Sequence, residues 1–132
     1  MMKTEIYKSP AASITYNATH NCILQTVNNY LHSEELKNFQ TALIKFCKGN
    51  SPGRIIADTT KLKVIKSDDM EWLSNEVLPA LSECGIRYFA IVMPNNPFGE
   101  MAVKLFIEAS SDITMQIFED LPSAQQWIRS CA

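Results

Sequence analysis

With 132 residues, 46 % of them hydrophobic and 20 % charged, the chain reads as one globular domain over residues 1–132, able to bury about two-thirds of its unfolded surface. A net charge of −2 excludes the basic stripe of a nucleic-acid surface, because the longest basic feature, Lys61, Lys63 and Lys66, is flanked by Asp58, Asp68 and Asp69. No apolar run suits a secretory leader or a membrane span, and four scattered cysteines without a C-x-x-C pair predict reduced thiols in the cytoplasm.

The first third predicts strands. Glu5–Tyr7 is short and is interrupted by Ser9-Pro10. Ser13–Tyr16 alternates, 17–21 is a polar turn, and Cys22–Val27 resumes extended character, so an antiparallel hairpin is expected. The period then changes. Ser33 reads as an N-cap with Glu34 and Glu35 in the first turn, and Leu36, Phe39, Leu43, Phe46 and Cys47 form one apolar helix face. Lys48 and Gly49 have the character of a basic last turn and a C′ glycine.

Arg54–Ala57 is an apolar strand ending on Asp58, followed by a polar linker with Thr59 and Thr60. A helix starts at Ser67 or Asp68, with Asp68 and Glu71 at capping-box spacing and Met70, Leu73, Val77 and Leu81 as its core stripe. Pro79 should kink that helix or end it early, and Gly85 ends it in any case. Trp72 and Leu78 fall off the stripe and are expected to point outward. Tyr88–Met93 is apolar throughout, as a strand covered on both faces would be. Asn96 is placed to cap a helix that has Pro97 at its first position and runs from Phe98 to about Ala109. Strand Met115–Phe118 and helix Pro122–Arg129 complete the chain. This order predicts an α/β fold: an N-terminal β-hairpin and βα crossovers building a mixed five- or six-stranded sheet with about four helices.

Two regions say more than fold. The Phe98–Ala109 helix is apolar around most of its surface, with Glu100, Lys104 and Glu108 confined to one narrow stripe. Met101, Val103, Leu105, Phe106 and Ile107, with Trp72 and Leu78 on the neighbouring helix, are therefore candidates for a subunit interface or a lipophilic pocket wall. The second region is the strand ends. If the strands are neighbours, Asp58, Thr59, Thr60, Ser67, Asn95 and Asn96 line one crevice near two helix N-termini, where N–H groups can hold an anion; turn and cap roles explain the same residue types. The four glycines form no phosphate-binding fingerprint. Both histidines, His20 and His32, sit in predicted turns, and no nucleophile–histidine pairing or metal-ligand spacing emerges. Neither an enzymatic activity nor a cofactor is expected.

Ile55-Ile56-Ala57-Asp58-Thr59-Thr60, then Val64-Ile65 and Ser67 opening a helix, resembles the core of STAS domains, the anti-sigma-factor-antagonist group. The whole chain is similar to SpoIIAA-like (STAS/SEC14-like) bacterial proteins over roughly residues 5 to 130. The similarity continues through Tyr88–Met93, Pro94 to Gly99, and Asp120-Leu121-Pro122-Ser123-Ala124-Gln125-Gln126-Trp127-Ile128. With no catalytic constellation in view, the expectation is a non-enzymatic module of this fold working by protein–protein contact, a homodimer through the apolar surface of the Phe98–Ala109 helix and Trp72; the SEC14-like resemblance implies a carrier of a small lipophilic ligand instead. It also places Ser67 at the phosphorylated serine of regulatory STAS domains, although Lys66 stands where that family has an acid, and Asp68-Asp69 replace a small residue and a glycine.

Overall fold

The computed structural model describes residues 3–28, 31–110 and 112–131; Met1 and Met2, at the N-terminus where no secretory leader is expected, lie outside them. Six strands form one sheet in the order β1-β2-β3-β4-β5-β6. β1 (Lys3–Lys8), β2 (Ala12–Asn17) and β3 (Cys22–Val27) are antiparallel. β4 (Arg54–Asp58), β5 (Tyr88–Val92) and β6 (Thr114–Phe118) continue from β3 in parallel. The expected hairpin is therefore β2–β3, with β1 added at its edge, and the sheet is mixed and six-stranded.

The apolar β5 run is explained by two cores. Phe89 and Ile91 face the main core, packed by α1 (Ser33–Asn50) and the helices that follow it. Ala90 and Val92 face a smaller core closed by Ala124 and Ile128 of α5 (Leu121–Ser130). Strand alternation splits the side chains between two apolar layers, so the strand itself has no polar face.

Residues 67–83 form a continuous rod rather than a helix broken at Pro79. It consists of α2 (Ser67–Trp72), a π-helical turn Leu73–Val77, and α3 (Leu78–Glu83). The Pro79 nitrogen has no hydrogen to donate, and its ring crowds the preceding turn. The helix widens ahead of it, and the Leu78 N–H reaches back five residues to the Leu73 carbonyl. That extra residue in the turn rotates Leu78 onto the Leu73–Val77–Leu81 stripe, so Leu78 is buried and not outward-facing.

Three cap expectations are corrected. His32, not Ser33, occupies the N-cap position of α1, with no side-chain cap bond, while Ser33 Oγ donates to Asp69 Oδ2 at 3.0 Å, a tertiary partner outcompeting a local one. α1 runs through Gly49 to Asn50, and Ser51 takes the left-handed conformation (φ 45°) with its N–H on the Cys47 carbonyl. Lys66 occupies the cap position of α2, with no side-chain cap bond from Ser67 or Asp68 and no capping box. Asn96 caps α4 (Pro97–Ala109) as its sequence position predicts.

Candidate functional site

β4 and β5 are neighbours, with Asp58 opposite Val92. Their carboxyl ends therefore bring the two polar groups of residues together. Asp58 Oδ1 accepts from the Thr60 N–H at 3.1 Å and from Thr60 Oγ1 at 2.6 Å. Thr59 donates to the Val92 carbonyl through its N–H (3.2 Å) and its hydroxyl (2.5 Å). The Asn95 N–H reaches the Thr60 carbonyl at 3.3 Å. Asn96 closes the arrangement: its Oδ1 accepts from the Gly99 N–H at 2.8 Å, and its Nδ2 donates to the Leu62 carbonyl at 2.7 Å. Turn, linker and helix start are thus sewn into one unit, with most of these polar atoms engaged inside the chain.

Asn96 does two jobs here, capping α4 and anchoring the linker. Asn96→Ala removes both bonds, and we expect a stability loss of about 1.5 kcal/mol, from one cap and one neutral hydrogen bond. Urea unfolding checks this; an unchanged midpoint would mean the linker holds itself in place.

Ser67 stands apart from that unit. It is exposed at the start of α2, on the wall of an outer groove of about 410 Å³ between the linker, α2 and α4. The groove is floored by Ile65, Met70 and Ala102 and rimmed by Val64, Phe98, Met101 and Leu105, with Glu71 beside Ser67. The four rim side chains are 40 %, 72 %, 64 % and 48 % exposed, respectively. Of the residues singled out on the apolar helix, only Met101 and Leu105 present themselves to solvent in this way. Val103 is buried in the main core, and Phe106 and Ile107 pack against it, with Phe106 edge-on to Phe89 at 5.6 Å. Trp72 is half-buried, and Lys37 Nζ of α1 lies 5.9 Å from its ring centre.

Beneath this face lies an inner cavity of about 70 Å³ between the sheet and the helices. It shares Ile65, Met70 and Ala102 with the outer groove. Among the described residues its walls are apolar except for Thr59 and two buried amides, Gln25 and Gln40. Neither glutamine was foreseen as a site residue. The signal was present: Gln25 falls on the inward phase of β3, between Ile23 and Val27, and Gln40 lies four residues after Leu36 on the core stripe of α1.

The thiols and histidines contribute no cluster. All four cysteines are free. Burial pushes Cys22 up to about 11, against the opposing pull of Arg54 and Arg129, and burial with the neighbouring Cys84 pushes Cys47 up to about 12. Arg54 instead ties the chain end to the β2–β3 turn, donating to the carbonyls of Cys131 (2.6 Å) and His20 (2.9 Å). Among the described residues no group of three or more His, Cys, Asp or Glu is placed to hold a metal ion, and no helix is long and apolar enough to cross a membrane.

No family model matches the chain, and no curated protein matches it in sequence. Solved structures do match in shape. A proposed anti-sigma factor antagonist from Thermotoga maritima superposes with a TM-score of 0.65 at 19 % identity, over 88 % of this chain and 92 % of that one. An uncharacterised protein of the DUF3478 family from Shewanella loihica, described as having a SpoIIAA-like fold, gives a TM-score of 0.60 at 14 % identity, over 92 % and 97 %. With the strand order and the helices on both faces of the sheet, these likenesses identify the architecture of this chain as the SpoIIAA-like α/β fold.

Proposed function

We propose that this chain is a single-domain, non-enzymatic regulatory module of the cytoplasm that acts by protein–protein contact and self-associates through its α2–α4 face. The observation that carries the reading is the outer groove. Four large apolar side chains stand exposed around a concave apolar floor, an arrangement that costs solubility unless something covers it. The proposed occupant is a second copy of the chain. A two-fold contact requires one patch to carry both a knob and a hole, and here Phe98 projects beside the depression floored by Ile65, Met70 and Ala102. The anti-sigma factor antagonist with which the fold is shared lends support to a protein partner, and the four free thiols suit a reducing compartment.

The expected result is a dimer at twice 14.9 kDa by sedimentation. Met101→Glu and Leu105→Glu, at solvent-facing positions, should each weaken it at least 30-fold, about 2 kcal/mol for an interface anchor. Phe106→Glu and Ile107→Glu are poorer probes, because both side chains pack on the core and a charge there threatens the fold. A monomeric wild type, or a dimer indifferent to both variants, would overturn self-association by this face and leave the groove to a different protein.

The carrier reading finds its support in the inner cavity, but at about 70 Å³ that space favours a ligand far smaller than a lipid. Ser67, on the groove wall beside Glu71 and next to Asp68 in the chain, is where a phosphate would add repulsive charge to the contact.

A further inference from the structure

The inner cavity has a polar lining that the core does not need. On the inner face of the sheet, Ile14, Gln25, Ala57 and Ile91 lie side by side in register. Ala57 is the smallest of the four, so room is left beside Gln25. Gln40 reaches the same space from α1, where the surrounding stripe is Leu36, Phe39 and Leu43. The two amides are 4 % and 9 % exposed, and neither makes a hydrogen bond to any described residue. No enclosed side-chain nitrogen or oxygen among the described residues is left without a partner, so both amide heads stay open to the cavity and must find their hydrogen bonds there, a need that leucine at either position would not have. Two such groups facing one cavity call for an occupant that hydrogen-bonds to both.

We propose that this cavity is a binding site for a small, neutral, amphipathic molecule. Its hydroxyl or amide head is held between Gln25 and Gln40, and its short apolar body lies against Met70, Phe89, Val103 and Phe106. Size limits the ligand. A cavity of about 150 Å³ takes benzene, so about 70 Å³ accommodates roughly three or four heavy atoms. Charge limits it too. Among the described residues the lining carries no ionisable side chain, so a carboxylate or an ammonium would lose water there without a charged partner. Carboxamides supply both donors and acceptors, which suits a hydroxyl or an amide equally. The entrance is the linker side, where Ile65 and Met70 separate the cavity from the outer groove. Ligand binding here does not depend on self-association across that groove.

The test is a titration of the nitrogen-15-labelled protein with 1-propanol, following the side-chain amide resonances of Gln25 and Gln40. Saturable movement of both is expected, with a dissociation constant of roughly a millimolar, as so small a ligand permits. Propionate, of similar size but charged, should leave them in place. Gln25→Leu and Gln40→Leu should each weaken binding at least tenfold; if either fails to fold, the other and the propanol–propionate contrast still decide. Movement that never saturates, equal binding of propionate, or binding unchanged in both variants would overturn the proposal and leave a cavity filled by water alone.

Discussion

Between pH 9 and 11 this domain is expected to lose several kcal/mol of stability through two buried thiols. Cys22 and Cys47 start from an ordinary 9.0 and are pushed up to about 11 and about 12 in the folded chain. Burial does this by penalising the thiolate, which the unfolded chain leaves in water. Below pH 9 both states hold the proton and the thiols are neutral in the balance. Above it the unfolded chain releases protons that the folded chain retains, so the unfolded state is favoured as pH rises. Each pH unit is worth about 1.4 kcal/mol per group until the folded thiol itself titrates, so each thiol removes about 2.5 kcal/mol by pH 11. Together that rivals the total stability of a domain of this size. Urea midpoints measured from pH 7 to 11 check it. Cys22→Ala/Cys47→Ala will begin less stable, because it leaves cavities, but its decline above pH 9 should be much shallower. Equal slopes for the two proteins would show that other groups govern the alkaline loss.

Gly99→Ala is expected to destabilise the domain by about 2 kcal/mol, although it places a better helix former in the first turn of α4. A Cβ at this position would lie 2.6 Å from Pro94 Cβ and 3.0 Å from both the Leu62 carbonyl oxygen and Pro94 Cγ. None of these can swing aside. Two belong to a proline ring, and the third is main chain already held by Asn96. Overpacking of this kind costs about 3 kcal/mol when backbone must move, and the gain in helix propensity returns about 1. The linker must then lift from the strand ends, and the Asn96 bond to Leu62 should go with it. Thermal unfolding should fall by about 8 °C. Gly49→Ala is the matched control, since it is also helical and has nothing within 4 Å of the added carbon; it should be neutral or stabilising. Indistinguishable behaviour of the two variants would mean that linker and turn are not in close contact at Gly99.

Local chemistry carried much of this protein in its sequence. Alternation located the β2–β3 hairpin, an unbroken apolar run marked β5 as covered on both faces, and Asn96 with Pro97 announced the start of α4. Each of those choices is decided by groups within a few residues of one another, so one segment suffices to read it. The excess apolar surface of α4 was legible in the same way, as a stripe of three charges too narrow for a solvated face. Which of its residues stay exposed was not. Val103 and Phe106 are drawn to the core and Phe98, Met101 and Leu105 are left outside, a division that belongs to the packed layers and not to α4 alone. Ser33 gave up its cap role because Asp69, 36 residues away, came within reach. Leu78 turned inward because Pro79 widened a helix that the core held together. The carboxamide cavity is the clearest case. Gln25 and Gln40 are unremarkable alone on a strand and on a helix, and only the register that sets Ala57 beside one, with α1 packed above, leaves both facing a shared space.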